Sequence, residues 1–261
     1  MTPRYRCAMP DRRSHRGKHP DDEKLFAPKF WDGLRSAVAE LSWLLSRRYT
    51  PVSALKLVGD RHGLTARQRM AVRRSACADA AYRRRGKTQC SLADCAARRV
   101  AVDGYNLLIT VESALSGGLV IVGRDGCHRD LAGIHGTYRK VEETIPALEL
   151  TADCLAEASV GGVDWYLDRP VANSGRLKAL LADLLERRGQ QLGTAATWNI
   201  ELASDPDAVL AGYPGPVVTS DSVVLDSCPC WVNLAGDIIR TRVPQAWIVD
   251  LRREDTEAGE G

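Results

Sequence analysis

The sequence has 261 residues, enough for one large domain or two smaller ones, and its 44% hydrophobic and 26% charged residues are typical of a globular protein. No apolar run reaches the roughly eighteen residues of a transmembrane helix, and residues 1–24 lack the apolar core of a secretory signal. These features predict a cytoplasmic protein that does not contact a membrane.

The net charge of +3 combines two halves of opposite sign. Residues 1–99 contain 23 Lys and Arg against 9 Asp and Glu, a net charge of +14, whereas residues 100–261 contain 13 against 24, a net charge of −11. A basic half favours a polyanion such as nucleic acid, because bound phosphates release their counterions. An acidic half favours bound cations or contact with the basic half. The charge pattern therefore predicts two regions with different tasks.

The first part of the chain is predicted to be helical. Residues 1–24 are basic and polar, which predicts a disordered arm. Residues 25–82 carry apolar side chains at spacings of three and four, which predicts a small all-α domain, and residues 83–99 form the predicted linker. Helices are expected over about 27–48, 51–62 and 65–82, with Pro51 and Thr65 as start signals and Gly63 as a stop signal.

The third of these helices and the linker carry a run of basic residues. A short helix, a turn with glycine and a basic helix resemble a helix-turn-helix unit, which favours contact with nucleic acid. The alternative is a packing module whose basic face is only solvated. The candidate nucleic-acid contacts in this part of the chain are Arg67, Arg73, Arg74, Arg83, Arg84, Arg85 and Lys87.

Residues 100–251 alternate apolar runs with helical segments, which predicts an α/β domain with a mostly parallel sheet and helices on both faces. Strands are expected over about 100–103, 119–122, 163–167, 197–202 and 216–219, and helices over about 130–157 and 174–188. The apolar segments 231–239 and 246–251 fit either a strand or a short helix. Residues 252–261 are polar and are predicted to form a disordered tail.

Two residue types bear on packing. The eight cysteines are predicted to be reduced thiols, because a cytosolic location disfavours disulfides and their spacing does not match a zinc ribbon. Four of the tryptophans are predicted to lie in the core, namely Trp31, Trp43, Trp165 and Trp231.

Three predicted strands end in or near an aspartate: Asp103, Asp168 and Asp221. Ligands of an open α/β sheet bind outside the carboxyl ends of its strands, so these side chains are expected to converge. Carboxylates held together repel unless a cation joins them, and Mg²⁺ or Mn²⁺ suits such oxygen ligands. Each aspartate alone fits a turn or a helix cap equally well. Together they predict a metal site.

Val102-Asp103-Gly104-Tyr105-Asn106-Leu107-Leu108 resembles the opening motif of NYN domains, a branch of the PIN-like nucleases. Val217-Val218-Thr219-Ser220-Asp221 resembles their late strand, which ends in another metal-binding acid. A further acid of that family lies on a later helix, at a place that Glu142 and Glu143 occupy. The resemblance covers about residues 99–240 and implies a PIN-like, Rossmannoid fold and a metal-dependent ribonuclease using Mg²⁺ or Mn²⁺. The implied catalytic residues are Asp103, Asp168, Asp221, Glu142, Glu143 and Asn106, with Asp103, Asp168, Asp221 and Glu142 as metal ligands.

The whole chain also resembles an uncharacterised prokaryotic family that pairs a basic helical N-terminal region with such an α/β region, but this resemblance implies no activity. The segments that carry it are 41–47, 54–61, 123–127 and 168–175.

Several residues near the predicted site have two interpretations. Asn106 could bond a carboxylate or cap a helix. Arg169 and Arg176 could bind a phosphate of the nucleic acid or pair with the aspartates. The segment Gly123–Gly136 is not a general feature of PIN-like domains; it contains Arg124, His128, Arg129 and His135, and Cys127 with its two histidines could bind a transition metal.

Three functions remain open on this basis. The first is a metal-dependent ribonuclease in which the basic half holds RNA. The second is an RNA-binding module that has lost catalysis. The third is a different metal-dependent enzyme, such as a phosphoesterase, which the segment 123–136 motivates. The sequence contains no Walker A, Gly-x-Gly-x-x-Gly or Gly-x-Ser-x-Gly motif, so it gives no support for binding of ATP or NAD or for a serine hydrolase.

Overall fold

The computed structural model describes residues 15–132, 138–193 and 196–253. Within these residues the helices are α1 (Asp22–Leu25), α2 (Trp31–Ser46), α3 (Pro51–Arg61), α4 (Ala66–Ser75), α5 (Asp79–Thr88), α6 (Gly104–Leu115), α7 (Thr144–Glu157), α8 (Ser174–Leu192), α9 (Pro206–Ala211), α10 (Ser222–Leu225) and α11 (Leu234–Arg242). The strands are β1 (Arg99–Asp103), β2 (Val120–Val122), β3 (His128–Asp130), β4 (Gly162–Asp168), β5 (Thr197–Ala203), β6 (Val217–Val218), β7 (Trp231–Val232) and β8 (Ile248–Asp250).

The main sheet is parallel throughout and has the strand order β5-β4-β1-β6-β7. From β1 the chain moves outward through β4 to β5, then returns to the other side of β1 through β6 and β7. The order reverses between β1 and β6, where Val102 is paired with Val218. In doubly wound sheets this reversal opens the crevice that binds ligands. The α/β class and the parallel sheet predicted from the sequence are confirmed.

Helices cover both faces of the main sheet because its strands are apolar on both sides. On one face, Leu108 of α6, Leu148 of α7 and Leu181 of α8 are fully buried in one large cluster. On the other face, Leu210 of α9 and Leu225 of α10 are equally buried in a smaller cluster. The two layers fix the carboxyl ends of the strands from both sides.

A second, three-stranded sheet joins the helical region to the end of the chain. Strand β2 pairs antiparallel with β3 and parallel with β8. Ile121 and Val249 from this sheet pack in one buried cluster with Leu34 and Leu41 of α2 and Val72 of α4. The helical region predicted as a separate domain over 25–82 therefore shares its core with strands from the second half, because its short helices leave apolar faces that these strands cover.

Several predicted boundaries differ in the structure. The third helix, expected over 65–82, starts where expected, and Thr65 forms a capping box with Gln68. It stops at Ser75, because the backbone at Ala76 and Ala78 is extended. The next helix, α5, runs to Thr88, inside the segment 83–99 predicted as a linker. The helix expected from about residue 130 begins only at Thr144, and residues 128–130 form a strand instead.

The predicted disordered arm over 1–24 is ordered in its described part. The Arg16 guanidinium bonds the Glu112 carboxylate at 2.6 Å, and Asp22 is fully buried and bonded by Arg67. These ion pairs bind the segment to the body of the protein, because a buried carboxylate requires a partner. Residues 1–14 and residues 254–261 of the predicted tail lie outside the described residues.

Two packing predictions were wrong. Cys90 and Cys230 form a disulfide between the segment after α5 and the segment before β7, whereas the other five described cysteines are free and buried. Trp165 and Trp231 are buried as predicted, but Trp43 is 52% exposed, because the face of α2 that carries it has no partner in the core. None of the helices in the described residues is long and apolar enough to cross a membrane.

Candidate active site

Asp103 lies where β1 ends and α6 begins, and it is almost completely buried. Asn106, on the first turn of α6, donates from Nδ2 to Asp103 Oδ2 at 2.6 Å. Thr219, just after the neighbouring strand β6, donates from Oγ1 to the same oxygen at 2.8 Å. These bonds connect the two strands at which the sheet order reverses. Asn106 thus bonds a carboxylate, one of its two interpretations from the sequence.

The environment of Asp103 raises its pKa from an ordinary 3.8 to about 7. Burial is the main cause, since removing a carboxylate from water disfavours its charged form. The negative charges of Asp221 and Asp207 act in the same direction, while the bonds from Thr219 and Asn106 oppose them. At neutral pH, in the absence of a cation, Asp103 is therefore close to its titration midpoint.

Three more aspartates reach this edge of the sheet. Asp168 ends β4, Asp207 lies in α9 just after β5, and Asp221 follows β6. Burial raises the pKa of Asp207, and so do the charges of Asp221, Asp168 and Asp205. Burial likewise raises the pKa of Asp168, with a contribution from Asp205. The charges of Asp221 and Asp207 act on Asp103, and those of Asp221 and Asp168 act on Asp207. The convergence of Asp103, Asp168 and Asp221 on one metal site stays a prediction.

The sequence analysis missed Asp207. Its signal is the segment Asp205-Pro206-Asp207 directly after an apolar strand, in which Asp205 caps α9 by accepting from Ala208 N at 3.1 Å. We interpreted the other aspartates as strand-end acids, but gave this segment no role. In this segment Asp205 caps the start of the helix, and Asp207 contributes its side chain to the site.

No arginine, lysine or histidine in the described residues forms an ion pair with Asp103, Asp168, Asp207 or Asp221. Buried or half-buried carboxylates elsewhere in the protein are paired, such as Glu112 with Arg16. Acids that raise one another's pKa without a counterion form a negative field at the crevice. Such a field attracts a cation.

The four aspartates suit Mg²⁺ or Mn²⁺ in charge and ligand type. Across the described ranges, no group of three or more carboxylate, imidazole or thiol side chains is arranged to hold a metal ion. One reason is that Asp221 Oδ1 caps α10 by accepting from Val223 N at 2.7 Å. Mg²⁺ is commonly bound through one or two carboxylates and several waters, so the donors fit a cation held in that way.

Glu142 and Glu143 do not join this cluster, contrary to the implication of the resemblance. Glu143 Oε1 accepts from His15 Nδ1 at 2.6 Å, and Glu142 Oε2 lies 3.8 Å from His15 Nε2. Neither residue contributes to the pKa of Asp103, Asp168 or Asp207. They precede α7 and face the segment at residues 15–16, which neutralises them.

Unpartnered polar groups accompany the aspartates. Ser220 Oγ and Tyr105 Oη are buried, and neither has a hydrogen-bond partner in the described part of the chain. Ser220 lines a cavity of about 10 Å³ together with Asn106, Thr219 and Asn233, which is space for about one water molecule. Tyr105 is close enough to Asp168 for that charge to raise its pKa. Both hydroxyls are therefore free to bond a group that enters this edge of the sheet.

The predicted nucleic-acid contacts divide into two groups. Arg67 is paired with Asp22 and Arg74 with Asp130, and Arg85 is 97% buried between Asp125 and Asp226. These three stabilise the fold, because a buried guanidinium has to be matched by carboxylates. The remaining candidates are exposed: Arg73, Arg83, Arg84, Lys87, Arg169 and Arg176. Arg169 follows Asp168 directly and bonds the Leu202 carbonyl at 2.9 Å.

The described part of segment 123–136 forms a buried ionic network. Asp125 accepts from Arg129 and from Arg85 at 2.6–2.8 Å. Burial alone would raise the pKa of Asp125, but the two guanidinium groups outweigh it and hold this pKa well below its ordinary value. A side chain at Gly123 would collide with Arg129, since its Cβ would lie 2.7 Å from that guanidinium. The glycine is needed for this close approach.

The same segment does not provide a transition-metal site in its described part. His128 Nδ1 is 3.2 Å from Asn233 Nδ2, and burial lowers the His128 pKa to about 4. Cys127 is buried, and burial raises its pKa to about 12, so its thiol stays protonated. Arg124 bonds Cys77 and Asp79. His135 lies outside the described residues.

Comparison with known proteins finds matches to two family descriptions. Residues 92–237, more than half of the chain, match DUF5616, described as a domain of unknown function, and residues 33–87 match DUF434, described as a protein of unknown function. The chain is 24% identical over 194 residues to "Uncharacterized protein MJ0935" of Methanocaldococcus jannaschii, which covers 74% of this chain and 89% of that protein. No solved structure is a significant match.

Proposed function

The chain belongs to the family DUF5616, and we propose that it is a metal-dependent ribonuclease whose active site is the aspartate cluster at the carboxyl edge of the main sheet. The observation that carries this proposal is a set of four aspartates at the carboxyl edge of the main sheet that have no cationic partner among the described residues, with Asp103 and Asp221 at the reversal of the strand order. Asp103 is its centre, because it is the most buried of the four and its pKa is raised to about 7. The sequence resemblance of residues 102–108 to the opening motif of NYN domains supports the same activity.

The residues around Asp103 have separate tasks in this proposal. Thr219 and Asn106 hold Asp103 Oδ2 by hydrogen bonds, which leaves Oδ1 as the oxygen that would contact a cation. Asp103 with Asp207 or Asp221 would hold Mg²⁺ or Mn²⁺. When bound, such an ion supplies charge neutralisation at a phosphate and a more acidic water molecule.

The substrate side of the crevice supports a polyanion. Arg169 and Arg176 are exposed beside the end of β4 and the start of α8, where a guanidinium can bind a phosphate through two hydrogen bonds. Arg73, Arg83 and Lys87 are exposed on the helical region. RNA is the polyanion that the resemblance implies. Exposed guanidinium groups next to an acidic site suit a phosphodiester that needs a bridging cation.

A catalytically inactive RNA-binding module is the second candidate. It is favoured by the lack of a preassembled group of three metal ligands in the described residues and by the engagement of Asp221 as a helix cap. No such observation favours a phosphoesterase for small molecules. The described cationic residues of the segment that motivated it are engaged in internal ion pairs.

The proposal is tested by cleavage of a mixture of single-stranded and structured RNAs with Mn²⁺ or Mg²⁺. We expect the native protein to cleave and Asp103→Asn to lose at least about a hundredfold in rate, because a bound metal contributes several kcal/mol to such a reaction. Glu142→Gln is the matched control and should keep the native rate. Metal-independent cleavage, or full activity of Asp103→Asn, would refute the proposal. RNA binding without cleavage would favour the inactive module.

A further inference from the structure

A second surface of the protein lies outside the aspartate cluster. A groove of about 620 Å³ is bordered by α2, by the start of α5 and by residues 250–253 after β8. Its volume is within the range of sites that bind a small molecule or a fragment of a polymer. Neither the fold nor the proposed active site requires an open groove at this place.

The groove is lined by two aromatic side chains that the core does not use. Trp43 of α2 is 52% exposed and Tyr82 of α5 is 46% exposed. The Arg47 guanidinium lies over the Trp43 ring, 3.5 Å from its centroid, and the Arg124 guanidinium lies over the Tyr82 ring at 4.8 Å. Large exposed aromatic rings paired with guanidinium groups are typical of surfaces that stack planar ligands.

The charge of the groove selects the kind of ligand. Four arginines line it against two aspartates, which leaves a net charge of +2. Both aspartates are already paired, Asp79 with Arg124 and Asp250 with Arg252. Arg124 is fixed further by the Cys77 carbonyl at 2.8 Å, so its position above Tyr82 is set before any ligand binds. The groove therefore presents preorganised stacking surfaces in a positive field.

We propose that this groove binds unpaired bases of single-stranded RNA by stacking them on Trp43 and Tyr82, with the arginines contacting the phosphates. The choice of RNA rests on the proposed function. Stacking selects single strands, because bases in a duplex have no free face, and aromatic stacking accepts any base.

The groove is connected to the active site through two short stretches of chain. Tyr82 lines the groove, and Arg85, one turn later on α5, bonds the Ser222 carbonyl next to Asp221. Arg124 lines the groove, and the next residue, Asp125, holds Arg85. A strand stacked in the groove would thus lie on the same helix that supports the loop of Asp221. This placement fits a site that holds RNA for the proposed cleavage.

The test measures RNA binding without cleavage. A fluorescein-labelled single-stranded RNA of ten nucleotides is titrated with the full chain in EDTA, and its anisotropy is compared for Trp43→Ala, Tyr82→Ala and the double variant. Tyr49→Ala is the matched control, since Tyr49 is 53% exposed on the same helical region but does not line the groove. All three side chains are about half exposed, so folding should be unaffected, which circular dichroism checks.

We expect each groove variant to bind about tenfold more weakly and the control to bind as the native protein does, because one stacked base is lost per ring. An abasic strand of equal length should bind the native protein and the variants alike. Equal affinity of native protein and double variant for the normal strand would overturn the proposal, as would an equal loss in Tyr49→Ala. Since no metal is present, groove binding can hold when cleavage fails, and cleavage can hold when groove binding fails.

Discussion

Asp103 and Asp125 are both buried aspartates, but the charges near them have opposite signs: aspartates act on Asp103, and guanidinium groups act on Asp125. Asp125 accepts from two guanidinium groups, and its pKa lies well below its ordinary value. Asp103 has hydroxyl and amide donors but no cation among the described residues, and its pKa is raised to about 7. The same residue type thus serves structure where its charge is matched. Where no guanidinium matches its charge, burial and neighbouring aspartates raise its pKa.

The ionic network around Asp125 also supports the aspartate cluster. Arg129 Nε donates to the Ser220 carbonyl at 2.9 Å, and Arg85 donates to the Ser222 carbonyl at 3.2 Å. These two carbonyls flank Asp221. The ionic network around Asp125 therefore holds the loop that brings Asp221 to the crevice, and it links the basic helical region to the acidic edge of the sheet.

The largest expected effect on stability comes from removing the negative charge of Asp125 from its ionic network. Asp125→Asn leaves two buried guanidinium groups with too little negative charge, and this should lower the free energy of unfolding by about 3–5 kcal/mol. Urea denaturation followed by circular dichroism measures it. Asp183→Asn is the control, because the Asp183–Arg187 pair is exposed and should contribute less than about 1 kcal/mol. Equal stability of the two variants would contradict the structural role of Asp125.

Removing the negative charge of Asp103 should instead raise the free energy of unfolding. Since the pKa of Asp103 is higher in the folded state than in the unfolded state, the native protein should lose stability as pH rises from about 4 to about 7. Asp103→Asn removes the part of this loss that Asp103 causes, and the raised pKa values of Asp168 and Asp207 leave a smaller part in the variant. In metal-free buffer we expect the variant to be more stable than the native protein by on the order of 2–4 kcal/mol above pH 7, and equal to it near pH 4.

Thermal unfolding of both proteins across this pH range in EDTA provides the measurement. Asp103→Asn keeps a carbonyl oxygen that Thr219 and Asn106 can bond, so the comparison isolates the charge. A variant that is less stable than the native protein at every pH would show that the carboxylate of Asp103 contributes to stability as Asp125 does.

A smaller effect is expected from removing the single hydrogen bond that Thr219 donates to Asp103. Thr219→Val removes the hydroxyl that favours the ionised form of Asp103, and it should raise the pKa of Asp103 and cost about 1 kcal/mol of stability. Titration of the Asp103 carboxyl carbon by NMR detects the change in pKa. A pKa that stays the same or falls would mean that Thr219 does not set the ionisation of Asp103.

The sequence predicted what depends on local pattern. Apolar strands followed by acids located Asp103 and Asp168 correctly, because strand ends and turns are encoded in adjacent residues. Whether a side chain on a helix is buried depends on parts of the chain that are distant in sequence and pack against that helix. Trp43 was therefore predicted to be buried and is exposed, whereas Arg85 was predicted to bind nucleic acid and is buried.

Contacts over long sequence separations escaped prediction for the same reason. The resemblance to PIN-like nucleases placed Glu143 in the site, but Glu143 bonds His15, 128 residues earlier. The disulfide partners Cys90 and Cys230 are 140 residues apart, and neither has a local signal for the other. Asp207 was missed because an acid beside a proline at a helix start is a common local pattern, and this pattern does not indicate a functional site.

The central claim is that the unpaired aspartates form a cation site, and Mn²⁺ binding tests it most directly. Isothermal titration of the metal-free protein should detect Mn²⁺ binding that is lost in Asp103→Asn and retained in both Asp183→Asn and Glu142→Gln, since neither control residue belongs to the cluster. Native binding in Asp103→Asn, or loss of binding in Glu142→Gln, would contradict the account and move any cation site away from the carboxyl edge of the sheet.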